Sequence, residues 1–431
     1  MKRSLADFNL FYTLFFPVVQ FSTLCHYRKI VVRGKKNLPE GEHYILAPVH
    51  QNAMMDPLVV LMALYRPVAF LARADIFKNP VARRLLTWLR ISPVYRIRDG
   101  RDQLSRNAEV FDTARLSLEQ GIPLCLMAEG THNDKHQLLP LVKGMFRIAG
   151  ETQRQLGDKP LYIVPVGLDY DHYEMPYHSV AVYFGKPIDV RQYMAEFNDN
   201  EPLALNRMRS DLTEAMKGTI HQVNAVEHYD DEYAYCHRQT PEVLRELGRR
   251  NSVWNRFIAR RHVSQQLAKL PEKELAPIYE QGADFQAQCE ERGVPLWFAS
   301  KCPRSSALKW VLRWSLSVLL LLLAIILCWD ILPLWVLSNP IVYLPTHLIA
   351  EAKVKDPQFR SSINYAIRFG LSMVYMLVFF IVNICIGNLW RALALLIVGL
   401  LSAWLTPKIF VLLRDIYYGY RWLRRPRKTD R

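Results

Sequence analysis

Between Trp314 and Pro407 the chain passes through four stretches that contain no charged side chain: Trp314–Trp329, Ile331–Ala350, Phe369–Trp390 and Ala392–Pro407. This pattern constrains the fold more than any other, because a soluble core rarely accommodates so many consecutive positions without charge. A helix needs about 20 apolar residues to cross a bilayer. The third stretch meets that length outright, and the fourth does so if Ile409–Leu413 continues it past Lys408. The first is short, and Pro333, Pro340 and Pro345 interrupt the second, so these two are expected to form a hairpin that spans with some thinning or enters one leaflet. Lys301, Arg304, Lys309 and Arg313 precede the first stretch; Lys353, Lys355, Arg360 and Arg368 separate the second from the third; Lys408 to Arg431 carries eight basic and two acidic residues. The excess of Lys and Arg places all three basic segments on the cytoplasmic side, giving about four membrane helices with a basic tail over 308–431. The competing reading is a buried, all-helical soluble domain.

The N-terminus begins Met-Lys-Arg and then runs without charge from Phe8 to Cys25, with Pro17 and Gln20 inside the run. No small-residue cleavage site follows, so residues 1–27 are read as an interfacial helix rather than a leader, with a buried core helix as the alternative. A length of 431 residues suits more than one structural unit. The net charge of +15 favours anionic lipid or a phosphorylated substrate over nucleic acid, because the basic residues cluster beside apolar helices rather than along one soluble face. Seven scattered cysteines without a CxxC pair exclude a disulfide framework and a zinc pattern, and point to a reducing cytoplasm.

From 28 to 190 short apolar runs alternate with helical periodicity. Strands are expected at Lys29–Val32, Tyr44–Ala47, Val68–Ala72, Pro123–Met127, Leu161–Val166 and Val180–Phe184; helices at Pro57–Leu64, Pro80–Arg90, Leu104–Glu119 and Leu141–Gln155. The alternation predicts an α/β domain over 28–200. Over 201–307 the strand signal fades. Leu203–Val223 and Thr240–Ala268 read as helices, the second opening on a Thr240-Pro241-Glu242 cap and carrying Arg249, Arg250, Arg256, Arg260 and Arg261. That basic helix is read as a solvated face over a small helical core, with a membrane-lying face as the alternative.

His50-Gln51-Asn52-Ala53-Met54-Met55-Asp56 follows an expected strand and opens an expected helix. A neutral imidazole takes a proton from an alcohol near pH 7, and a carboxylate on its other ring nitrogen fixes the tautomer. Asp56-Pro57 equally suits a helix N-cap followed by proline. In Pro93-Val94-Tyr95-Arg96 a β-like run delivers a guanidinium suited to phosphate, unless Arg96 is simply an ion-paired surface residue. Glu129-Gly130-Thr131 ends a strand with a carboxylate, a residue permitting close approach and a hydroxyl; an ordinary strand-to-loop turn explains it too. His132, Asp134 and His136 follow, but the turn-like Asn133-Asp134 argues against a helical metal pair, and no metal is expected. Lys143-Gly144 opens a helix where a cation and free N–H groups can hold an anion.

Taken in order, His-x-Asn-x-x-x-Asp, Pro-Val-x-Arg, Glu-Gly-Thr, Lys-Gly and the Val164-Pro165-Val166 block resemble the glycerolipid acyltransferases of the PlsC type over residues 28–190. The resemblance implies a mixed sheet flanked by helices. It implies His50 as general base, Asp56 as its orienter, and Arg96, Glu129, Gly130 and Thr131 as the site for the acceptor's glycerol phosphate, with Pro165 lining the acyl side. Five residues separate the histidine and aspartate here, where four are usual, so Gln51 occupies the place that the shorter spacing gives the base; a one-residue bulge before the helix restores the contact. Ala128 replaces the usual proline before Glu-Gly-Thr, and His132 follows it in place of Arg or Ser.

The activity implied is acyl transfer from acyl-CoA or acyl carrier protein to a hydroxyl of glycerol 3-phosphate or lysophosphatidic acid in phospholipid synthesis. It uses no cofactor beyond the acyl donor and is carried out at the cytoplasmic face of a membrane. Two alternatives stand beside it: transfer to another lipid acceptor, such as an aminoacyl or glycine lipid, and a non-catalytic membrane scaffold in which His50 and Asp56 lie apart.

Overall fold

The computed structural model describes residues 10–95, 107–133, 135–174, 176–301 and 357–424, with isolated positions from 315 to 354. The chain divides into two units. The first comprises Met1–Thr23, Ile30–Asp169 and Ala181–Ile220; the second comprises Leu24–Lys29, Tyr170–Val180 and His221–Arg431.

The first unit is built on a mixed sheet whose strands are β1 (Lys29–Arg33), β2 (His43–Pro48), β3 (Ala69–Arg73), β4 (Ile91–Val94), β5 (Leu124–Cys125), β6 (Leu161–Tyr170), β7 (Ser179–Phe184) and β8 (Ile188–Asp189). The order is β1-β7-β6-β2-β5-β3-β4, with β8 pairing with β6. β2 runs parallel to β5 and β6, β3 runs parallel to β4 and β5, and β8 lies antiparallel to β6. Ile45, Leu46 and Ala47 of β2 are fully buried, as expected for a continuous apolar run in the middle of a parallel sheet. The run expected at Pro123–Met127 shortens to β5, yet its bonding continues on both sides: Ala69 N–H donates to Pro123 O, and Leu126 N–H to Leu46 O.

Around the sheet lie α1 (Leu10–His26), α2 (Met55–Leu64), α3 (Pro80–Trp88), α4 (Asn107–Glu119), α5 (Lys143–Leu156), α6 (Met194–Asp199) and α7 (Glu201–Lys217). In α1, Phe11 packs on Trp88 and Tyr12 on Arg90, whereas Leu10 and Leu14 are exposed. α5 shows how one side chain joins two elements. Buried Gln153 donates to Gly157 O and Lys159 O and accepts from Leu161 N–H, so it closes the helix and sets the start of β6.

In the second unit α8 (Tyr229–Glu246) packs against α9 (Val253–Leu267) and α10 (Glu272–Arg292), and α11 (Leu296–Ala299) follows. One apolar cluster joins Cys236, Val243 and Leu244 to Ala259, Val263 and Leu267; another gathers Phe285, Cys289, Trp297, Phe298 and Trp422. The helix expected over Thr240–Ala268 is therefore two helices, broken where Gly248 takes φ +60° and where Ser252 caps α9 by accepting from Asn255 N–H. Thr240-Pro241 is no cap but lies inside α8. Proline removes one intrahelical bond there, but Thr240 Oγ1 donates back to Cys236 O, and burial of Cys236, His237, Thr240, Val243 and Leu244 keeps the helix running.

Two long helices close the chain, α12 (Pro357–Ile386) and α13 (Leu389–Arg424). Among the described residues one helix, Phe359–Ile386, is long and apolar enough to cross a membrane. α13 continues unbroken through Lys408. The first two uncharged stretches lie outside the described residues apart from isolated positions.

Candidate active site

His50 follows β2, whose end is fixed by Val49 N–H donating to Val166 O of β6. Its Nδ1 stands 2.8 Å from Asp56 Oδ2. The same oxygen accepts from Gln51 N–H and Asn52 N–H, each at 2.8 Å. A carboxylate oxygen that takes two backbone donors can only accept from the ring as well, so the imidazole proton sits on Nδ1 and Nε2 keeps its lone pair. Asp56 is fully buried in the first turn of α2, and the His50 side chain retains 18% exposure. The carboxylate is thus committed to orientation, and the ring remains reachable.

The longer spacing is absorbed at Ala53, whose φ of +38° is left-handed, while Met55 N–H donates to Asn52 O across the turn. This bulge brings Asp56 back under the ring. Gln51 is buried, and its amide donates to Lys135 O.

Glu129 joins this turn to the loop after β5. Its Oε1 accepts from His50 N–H at 2.8 Å and its Oε2 from Leu139 N–H at 3.0 Å. Burial pushes its carboxyl up to about 7, against the pull of those two donors and of the His50 ring. Both oxygens hold backbone, so Glu129 clasps the His50 turn to Leu139. Asn133 N–H in turn donates to His50 O at 3.0 Å.

Gly130 takes φ +66°, and a Cβ there would meet Val142 Cγ1 at 3.0 Å. Val142 N–H donates to Ala128 O, which draws exposed Lys143, the first residue of α5, beside the Glu-Gly-Thr turn; Thr131 is exposed on it. Pro165 is buried in β6, in register with Ala47, three positions ahead of His50. Arg96 lies outside the described residues. The structure thus brings together His50, Asp56, Glu129 and Gly130, with Thr131 and Lys143 on the adjoining surface.

Sequence reasoning gave His132 no role at the base. Its ring stands 5.5 Å from that of His50 at an interplanar angle of 67°, whereas His136 faces Asp169 across 3.7 Å. Its position directly after Glu-Gly-Thr was the available signal. The backbone donors of Gln51, Asn52 and Leu139 carry no side-chain signature at all.

Residues 29–169 match the family model described as Acyltransferase. An uncharacterized acyltransferase of Schizosaccharomyces pombe is 31% identical over 81 residues, 19% of this chain and 12% of that protein, so the chain matches only a small part of that relative's length. The crystal structure of the 1-acyl-sn-glycerophosphate (LPA) acyltransferase PlsC from Thermotoga maritima overlaps 48% of this chain and 78% of its own at 20% identity, with a TM-score of 0.34. Residues 29–169 are thus similar to the family described as Acyltransferase, and they contain the contact between His50 and the buried Asp56.

Proposed function

We propose that this domain transfers an acyl chain from a thioester donor, acyl-CoA or acyl carrier protein, to a hydroxyl of glycerol 3-phosphate or lysophosphatidic acid. The observation that carries the reading is the 2.8 Å contact from His50 Nδ1 to an Asp56 oxygen already held by two backbone N–H groups. It leaves Nε2 as the nitrogen that accepts a proton. Nε2 takes the proton of the acceptor hydroxyl as that oxygen bonds to the thioester carbonyl carbon. The tetrahedral intermediate expels the thiolate, which recovers the proton from the imidazolium. No acyl-enzyme forms. Base catalysis of this kind supplies about 10²–10⁴-fold, and positioning supplies the rest.

Lys143, Thr131 and Arg96 are the groups we assign to the acceptor's phosphate and hydroxyls, with Pro165 on the acyl side. Membrane attachment through the apolar helix Phe359–Ile386 and a cytoplasmic orientation are part of this reading, supported by the length and composition of that helix and by the basic residues around it. A wide separation of the pair would favour the scaffold reading; the 2.8 Å contact supports the enzyme reading.

The deciding assay offers the purified chain both donors against glycerol 3-phosphate, lysophosphatidic acid and a phosphate-free lipid acceptor. Transfer to a phosphorylated acceptor, lost about 10²–10⁴-fold in His50→Ala, is expected. Unchanged transfer in that variant overturns the mechanism, and preference for the phosphate-free acceptor overturns the assignment of substrate.

A further inference from the structure

The second unit carries a buried polar centre that acyl transfer does not use. Asp171 lies just beyond β6, 4% exposed, with Arg256 Nη2 and Lys301 Nζ each 3.6 Å from its carboxylate. The arginines of α9 were expected in solvent or on a membrane; Arg256 and Arg260 are instead buried, because they turn toward this carboxylate. Burial alone pushes up the Asp171 carboxyl, yet Lys301, Arg256 and Arg260 outweigh it and hold it far below the usual carboxylate range. Arg414 of α13 joins the group through His178, donating from Nη1 to His178 Nε2 at 2.9 Å. Asp415 pairs with Arg28 at 3.5 Å. The indole of Trp297 carries Lys301 Nζ at 4.0 Å and the Arg414 guanidinium at 4.8 Å.

The charges here do not balance. Arg28, Arg256, Arg260, Lys301 and Arg414 face two carboxylates, Asp171 and Asp415. Burial and the neighbouring Arg256 and Arg28 bring the Lys301 ammonium down to about 7 even with Asp171 beside it. The ion pairs on Asp171 lie beyond hydrogen-bond distance. Because His178 Nε2 accepts from Arg414, its Nδ1 bears the proton, and that donor has no hydrogen-bond partner among the described residues; neither does Arg256 Nε, while Arg414 Nε has only an ion-pair contact, 3.7 Å from Asp415 Oδ1. Surplus cations and orphaned donors buried together are costly unless an anion completes them. Guanidinium forks suit the several oxygens of a phosphate. Access exists at Arg28, 39% exposed. Arg414 follows the uncharged run of α13, the place where a lipid headgroup meets a membrane helix.

We propose that Arg256, Lys301, Arg414 and His178 form a binding site for a phosphate group, supplied by an anionic lipid headgroup or by free phosphate. It rests on the second unit alone and is independent of the chemistry assigned to His50.

The test uses the full chain with three probes: inorganic phosphate in detergent, nanodiscs of phosphatidylcholine, and nanodiscs of phosphatidylcholine with phosphatidylglycerol. Binding is read as thermal stabilisation against probe concentration. Phosphate or phosphatidylglycerol is expected to stabilise the chain, with apparent affinity weakened about tenfold or more in Lys301→Met. Asp171→Asn removes the competing carboxylate and is expected to bind more tightly than wild type, a gain that misfolding cannot imitate. Response to phosphate in detergent identifies a soluble source, and response only in the phosphatidylglycerol nanodiscs identifies a headgroup; either supports the site. Equal affinity in wild type, Lys301→Met and Asp171→Asn, or full stabilisation by phosphatidylcholine alone, overturns it. Should Lys301→Met fail to fold, the direction of change in Asp171→Asn decides.

Discussion

Asp56 and Asp171 are both buried carboxylates, and their surroundings are opposites. Asp56 meets two backbone N–H groups and the His50 imidazole, at 2.8 Å each. Asp171 instead faces the basic side chains of Arg256 and Lys301 at 3.6 Å. The first arrangement spends one carboxylate on aiming one ring and leaves that ring ready to accept a proton. The second leaves positive charge in excess. Burial alone does not define a polar site; the kind of partner decides whether it orients a base or awaits an anion.

The largest separation between the two should appear when each aspartate is replaced by asparagine. Asp56→Asn loses control of the His50 tautomer and is expected to lower acyl transfer by about 10²–10⁴-fold with the chain still folded. A loss under threefold, measured as initial rate at saturating donor, would remove Asp56 from the mechanism. Asp171→Asn should leave the rate per folded molecule intact and act on stability instead. Leaving buried cations unpaired costs about 3–5 kcal/mol, which denaturant unfolding without phosphate can measure. No change in midpoint would show that the cations do not depend on Asp171.

Acidity offers the next contrast. Glu129 has a folded pKa of about 7, above its ordinary 4.5. Between those values the fold retains a proton that the unfolded chain has released, so stability is greatest below about pH 4.5 and falls as pH rises to about 7, by about 3 kcal/mol. Lys301 has a folded pKa of about 7, below its ordinary 10.5. There the unfolded chain retains the proton, so stability climbs from pH 7 toward 10.5. Melting curves across pH should lose the acid-side decline in Glu129→Gln and the alkaline rise in Lys301→Met. Parallel curves for all three proteins would mean that neither group governs its unit.

The smallest effect concerns the bulge. Ala53→Gly relieves the left-handed backbone and should be neutral or stabilising by up to about 1 kcal/mol, whereas Ala53→Val should cost about 1–3 kcal/mol and reduce transfer with it. Equal melting temperatures for the two variants would show that the bulge is unstrained.

The sequence made the first unit's architecture readable because apolar runs bounded by glycine and proline mark buried strands: the expected runs at 29–32, 44–47, 161–166 and 180–184 fall on strands, and that at 68–72 overlaps β3 from Ala69. Ile188–Asp189 was not visible, since two residues have no period. Thr240-Pro241 misled because burial of one helix face outweighs a local stop signal. At the site, the His50–Asp56 contact was readable from chemistry and spacing. The double grip of Glu129 was not, because its partners are amide groups that every residue possesses. The inward turn of Arg256 and Arg260 escaped for a related reason: a helical pattern shows which face is basic but cannot show a carboxylate that arrives from residue 171.

Glu129 grips His50 with one oxygen and Leu139 with the other. One carboxyl group thus ties the loop at Leu139 to the backbone of His50. Loss of the Glu129 carboxylate is therefore expected to free the backbone at His50 and at Leu139 together.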